Sequence, residues 1–188
     1  YTYWTDLNNF IPQNKKKKYD FLFVGRLTKK KGLDIFIKLA IKYPNLKFCI
    51  VGNGPEEEKI HNLENEINNL FYLGRVDYTN LPYIYNSAKI LLIPSLYVEG
   101  FARVAIEGLA CGLPIIASNN VTALIETESK KSCDILSPNY SSFEKILKDF
   151  TKNLENNEIY KKKSFEARLH AEKYFSEKNI LSITNHFN

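Results

Sequence analysis

The sequence predicts an α/β domain: a doubly wound parallel sheet of about six strands, closed by C-terminal helices. Three observations predict it. Short apolar runs of strand length alternate with segments of helical period along most of the 188 residues. The runs recur at intervals of roughly 20–25 residues, the spacing of β-α units. They are also apolar on both sides, as strands covered by helices on two faces must be.

Each element has its own signal. Residues 21–24 are a short, continuously apolar strand. Residues 32–42 are helical by period, with Leu33, Phe36, Ile37, Ala40 and Ile41 on one face. A second strand, 46–51, ends in GNGP, and the polar helix 56–66 follows a proline with acids in its first turn. Strand 71–73, short helix 80–87 and strand 89–93 come next, the last closed by Pro94. The apolar helix 101–111 stops at Gly112, ahead of strand 114–117. A short helix at 124–128 and a sixth strand at 133–136 complete the sheet. Amphipathic helices 142–154 and 158–174 and a last helix at 177–187 finish this Rossmann-like pattern. Residues 1–19 carry Pro12 and the lysines 15–18 and read as a linker.

Composition narrows the function. Hydrophobic residues are 44% and charged residues 25%, so global disorder is excluded. No apolar run approaches the ~18 residues of a membrane span. The net charge of +5 comes from 26 basic residues, of which four are Arg, dispersed among Glu and Asn. That is not the clustered, Arg-rich pattern of a nucleic-acid reader. It suits an anionic small molecule or an anionic membrane surface. Cys49, Cys111 and Cys133 are odd in number, lie in apolar stretches and form no CxxC, which predicts reduced thiols and a cytoplasmic protein. His61, His170 and His186 have no metal-ligand spacing. The chain contains no Met and does not open on a signal peptide, which predicts a piece of something larger.

An open parallel sheet binds ligands beyond the carboxyl ends of its strands, so the loops there carry the chemistry. After the first strand, GRLTKKKG places Gly25 at the turn, with Arg26 and Lys31 bracketing a loop just before a helix. This is either an anion site or an ordinary basic surface loop. The GNGP at 52–55 is weak as a phosphate loop and ordinary as a tight turn. Gly74-Arg75-Val76 requires no function by itself. The informative stretch is PSLYVEGFARVAIEGLACGLP, residues 94–114. Glu99 precedes the apolar helix and Glu107 lies two turns inside it, with Arg103 the only other charge there. A carboxylate in such a helix either finds hydrogen-bond donors, for which vicinal hydroxyls would serve, or faces water or a Lys.

These motifs, in this order, resemble the C-terminal, nucleotide-sugar-binding domain of the retaining family-four (group 1) glycosyltransferases of the GT-B fold. The matching pieces are FVGRLTKKKGLD (23–34), IVGNGP (50–55), FYLGRV (71–76), IYNSAKILLIPS (84–95), EGFARVAIEGLACGLPIIAS (99–118), NVTALIE (120–126) and YFSEKNI (174–180). The Glu99/Glu107 pair followed by ACGLP is the most specific of them.

The resemblance implies roles. Arg26 and Lys31 neutralise the donor diphosphate, beside Gly25. Glu99 faces the donor sugar, and Gly100, Phe101 and Ala102 bring backbone N–H groups to it. Glu107 accepts the ribose hydroxyls, and the main chain of Gly74, Arg75 and Val76 reads the base. Arg26, Lys31 and Glu99 are thereby the catalytic set. No Asp-x-Asp occurs in the chain, so no metal and no other cofactor is expected; the substrate is a nucleoside-diphosphate sugar. The family also implies a hexosyltransferase acting on a glycan or lipid-linked acceptor, of lipopolysaccharide or capsule type, in the cytoplasm and at the inner face of the membrane. It implies three divisions: 1–19 as interdomain linker, 20–175 as the donor domain, and 176–188 as a helix crossing back to an N-terminal domain that supplies the acceptor. The fragment alone is then expected to be nearly inactive. Departures from the family pattern are Ala102 for glycine, Thr122-Ala123 for Gly-Gly and Ile125 for proline. Ala102 and Thr122 motivate the alternative, a non-catalytic nucleotide-sugar-binding or scaffold module.

Overall fold

The computed structural model describes residues 5–127, 129–153 and 157–176. The helix expected at 177–187 and residues 1–4 lie outside the described residues.

Six strands form one wholly parallel sheet: β1 Tyr19–Val24, β2 Phe48–Val51, β3 Leu70–Tyr72, β4 Ala88–Ile93, β5 Ile115–Ser118 and β6 Cys133–Leu136. The helices are α1 Leu33–Lys42, α2 Glu57–Glu66, α3 Leu81–Ser87, α4 Arg103–Ala110, α5 Thr122–Glu126, α6 Tyr140–Asn153 and α7 Asn157–Tyr174. The strand order is β3-β2-β1-β4-β5-β6. The order reverses between β1 and β4, which places a crevice beyond their carboxyl ends.

The two-sided strands explain the layers. Phe21, Phe23, Phe48, Ile50, Ile90 and Leu92 face a core shared with α1, α2 and α6. Their neighbours Leu22, Cys49, Val51, Leu91 and Ile93 face a second core with α3, α4 and α7. Successive strand side chains point to opposite faces, so a continuous apolar run fills both layers at once. Burial of each such side chain is worth about 1.5–3 kcal/mol.

Residues 5–18 form no strand or regular helix, yet they are held against the domain. Phe10 is buried in the α4–α7 core. Arg168 of α7 donates to the carbonyls of Phe10 at 2.8 Å and Leu7 at 3.3 Å, and Thr5 N–H donates to Phe175 O at 3.1 Å. Asn86 of α3 accepts from Gln13 N–H at 2.7 Å and donates to Ile11 O at 2.9 Å.

Element edges moved for local reasons. β3 starts at Leu70, one residue before the expected 71–73 strand, because Leu70 pairs with Phe48 in register. α4 starts at Arg103, not 101, because Ala102 stays non-helical and its carbonyl caps Ala105 and Ile106. α5 begins two residues early because Val121 bridges Glu99 and turns the chain there.

Candidate functional site

Two glycines assemble the crevice. Gly32 is left-handed (φ 75°), and a Cβ there would lie 1.9 Å from the Pro94 carbonyl oxygen. Only glycine lets the loop after β1 press against the loop after β4 so closely. The Leu96 N–H then donates to Lys30 O at 2.8 Å, joining the two loops. Gly52 (φ 136°) does the same after β2: its Cβ would meet Gly25 O at 1.9 Å. Its own N–H donates to Gly74 O at 2.8 Å. The GNGP turn is thus a spacer that lines up the loops after β1, β2 and β3.

The crevice holds a cavity of about 180 Å³. The end of β1 with Gly25, Lys31, the end of β4, Ser95, Glu99 and the start of α4 line it, with Phe101, Ala102, Arg103 and Val104 from the last. That is below the roughly 300–1,000 Å³ of sites that enclose a whole drug-sized ligand.

Lys31 and Glu99, 68 residues apart in the chain, meet here. Lys31 Nζ lies 2.6 Å from Glu99 Oε2, with side-chain exposures of 25% and 6%. The Ser95 hydroxyl donates to Oε1, the other oxygen. Lys31 also stands 5.6 Å from the centre of the Tyr97 ring. The Glu99 backbone is fixed as well: its N–H donates to Asn120 O at 2.8 Å, and its carbonyl accepts from Thr122 N–H and Thr122 Oγ1, each at 3.2 Å. Where Gly-Gly is usual, Thr122 therefore clasps the Glu99 turn. Ala102 lines the cavity but packs in the core at 2% exposure, so its methyl intrudes little.

Glu107 lies one turn beyond Arg103, outside the cavity wall and 2% exposed. The Tyr85 hydroxyl donates to its Oε2 at 2.8 Å. Burial pushes the carboxyl up to about 7, against the opposing pull of Tyr85 and the Arg103 charge. The lone acid of the apolar helix is thus hydrogen-bonded within the protein, an outcome spacing alone left open.

The structure gathers Gly25, Lys31, Glu99, Phe101 and Ala102 around one cavity, with Gly100 in the same turn. Arg26 is exposed beside it. Gly74, Arg75 and Val76 stand off, after β3. Gly74 is tied to Gly52, Arg75 is exposed, and Val76 leans on the α3–α4 core. Sequence reasoning passed over Ser95 and Tyr85, and it noted Arg103 and Thr122 without giving them a place in the site. A tyrosine in the buried stretch IYNSA was a usable signal, because a buried phenol needs a partner. Among the described residues, no three His, Cys, Asp or Glu side chains form a metal-holding group, and no helix is long and apolar enough to cross a membrane.

The comparisons agree with this architecture. The family described as "Glycosyl transferases group 1" matches residues 5–170. An uncharacterized glycosyltransferase of Haemophilus influenzae is 35% identical over 185 residues, covering 92% of this chain and 51% of that protein. The chain thus spans about half the length of this relative. Among solved structures, Anabaena Alr3699/HepE in complex with UDP superposes with a TM-score of 0.83 at 18% identity, over 98% of this chain and 55% of that one. The C-terminal domain of the Francisella tularensis group 1 protein LpcC superposes with a TM-score of 0.75 at 21% identity, over 92% of this chain and 99% of that domain. With nearly the whole described chain inside the family match, this chain belongs to the group 1 glycosyltransferases.

Proposed function

We propose that this chain is the donor-binding half of a hexosyltransferase. The full protein would move a sugar, with retention of configuration, from a nucleoside diphosphate to a glycan or lipid-linked acceptor brought by a second domain. The observation that carries this reading is the meeting of Lys31 and Glu99 over a cavity at the switch point.

Breaking a sugar–phosphate bond leaves a diphosphate with growing negative charge, and stabilising it is most of what the transition state asks. Arg26 and Lys31 supply positive charge, and the N-terminal end of α4 adds its partial positive charge. Each charge-assisted hydrogen bond there contributes roughly 1.5–3 kcal/mol. Without donor, Lys31 is neutralised by Glu99. A diphosphate competes for the ammonium, and the freed Glu99 oxygen accepts a sugar hydroxyl. The exchange couples sugar recognition to leaving-group stabilisation. Glu107 takes the ribose diol and the Gly74–Val76 main chain takes the base. These cations stand in for a metal, a reading motivated by the lack of any Asp-x-Asp.

Support comes from the family match and from UDP in the Anabaena neighbour. Calorimetry with UDP, GDP and ADP tests the reading. One of them is expected to bind, unaffected by EDTA, and Glu107→Ala is expected to weaken it by about 1–3 kcal/mol. No binding by any of the three at millimolar concentration overturns the proposal.

A further inference from the structure

Tyr85 is fully buried on α3, and its hydroxyl spans to α4 to hold Oε2 of Glu107. Burial and the neighbouring carboxylate push the phenol well above its ordinary range, so it remains a neutral donor. The other carboxylate oxygen is differently placed. The buried side-chain polar atoms left without a hydrogen bond among the described residues are Gln13 Oε1 and the Tyr160 hydroxyl. Glu107 Oε1 has no hydrogen-bond partner among those residues and is not in that group, so what it shows of itself lies within the 2% of Glu107 that is exposed. One oxygen is taken and the other is on offer.

The surroundings of Glu107 are few. Arg103 lies one turn before it and Cys111 one turn after it on α4. Tyr78, just ahead of α3, senses the charges of Glu107, Arg103 and Asp6. Arg168 of α7 and Lys17 of the leading segment act on Cys111 from the far side. Arg103 and Tyr78 are both exposed, and Arg103 also lines the cavity, so side chains that reach the surface neighbour the acid.

We propose that Tyr85 is a positioning residue of the donor site: by fixing Oε2 it aims Oε1 of Glu107 at the ribose diol. This rests on the reading above, that Glu107 receives the diol. The two lone pairs of Oε1 suffice for both hydroxyls of a vicinal diol. Without the phenol, Oε2 is a buried, unsatisfied acceptor. The carboxyl then holds its proton to higher pH and loses acceptor capacity at neutral pH.

The test is calorimetry of the whole chain with UDP and with 2′-deoxy-UDP at pH 6, 7 and 8. Wild type, Tyr85→Phe, Glu107→Gln and the double variant are compared, with melting curves to confirm folding. Wild type should bind UDP more tightly as pH rises, and 2′-deoxy-UDP about tenfold more weakly with a smaller rise, the titration of the terminal phosphate being common to both. Tyr85→Phe should bind UDP about three- to tenfold more weakly at pH 7, recover toward pH 8, and lose less with 2′-deoxy-UDP, which keeps only the 3′-hydroxyl. The double variant should match Glu107→Gln alone. It also lacks the orphaned acid, so it keeps the comparison available if Tyr85→Phe melts early. A Tyr85→Phe profile identical to wild type, or a double variant weaker than Glu107→Gln, overturns the role of Tyr85. Should wild type bind UDP but not discriminate against 2′-deoxy-UDP, the diol assignment of Glu107 fails instead. No binding of UDP, GDP or ADP by wild type sinks the donor reading as a whole.

Discussion

Glu99 carries a carboxylate almost out of solvent, which is unfavourable unless its oxygens are satisfied. Lys31 and Ser95 satisfy one each. Removing one partner of such a pair leaves a charge stranded, an effect that exceeds the net worth of the intact pair. Lys31→Met is therefore expected to destabilise the fold by about 1–3 kcal/mol, discounted because Lys31 is a quarter exposed. Adding Glu99→Gln should restore most of that loss. Urea denaturation of both single variants and the double variant measures it; additive losses would mean the two groups do not act as a unit.

At the level of elements, the site exists because three loops approach one another backbone to backbone. The Gly32 turn sets the separation of the loops after β1 and β4, and so sets the Lys31–Glu99 contact. Gly100 sits in the turn after Glu99, but a Cβ there has nothing within 4 Å. Gly32→Ala is expected to destabilise by at least about 2 kcal/mol, from the left-handed backbone plus the clash with Pro94. Gly100→Ala should stay within about 0.5 kcal/mol. Thermal or urea unfolding checks both, and equal losses would reject the close approach as the reason for Gly32.

For the molecule as a whole, a buried acid and a half-buried histidine oppose each other in pH. Burial pushes Glu107 up to about 7 in the folded chain, so the folded state holds more protons than the unfolded state between its ordinary value and that one. Stability from this group is present at low pH and falls as pH rises toward 7. Burial, with a small push from Lys173, lowers His170 to about 4. Its Nε2 lies 2.8 Å from Thr127 Oγ1, and its ring packs on Tyr174 and Phe175. The unfolded state takes up that proton first, so stability from His170 rises with pH between about 4 and its ordinary 6.5. The two slopes partly cancel in wild type. Glu107→Gln should uncover a steeper rise with pH across that window, read by denaturant unfolding at several pH values. A slope equal to wild type would show that Glu107 is not a raised, buried acid in the folded chain.

Continuous apolar runs made the six strands and the two covered faces legible in the chain itself, because a strand buried on both sides needs no alternation. The glycine-bounded basic loop and the two acids around the apolar helix were legible too, since they break the local pattern. Their pairing was not. Lys31 meets Glu99 only because the strand order sets β1 beside β4, and Tyr85 reaches Glu107 only because α3 and α4 pack on the same face. Local sequence thus determined the elements, the two-layer cover and the residue types at the strand ends. The tertiary structure alone decided which of those residues touch, because contacts across a sheet follow from strand order and close backbone approach, which no periodicity encodes.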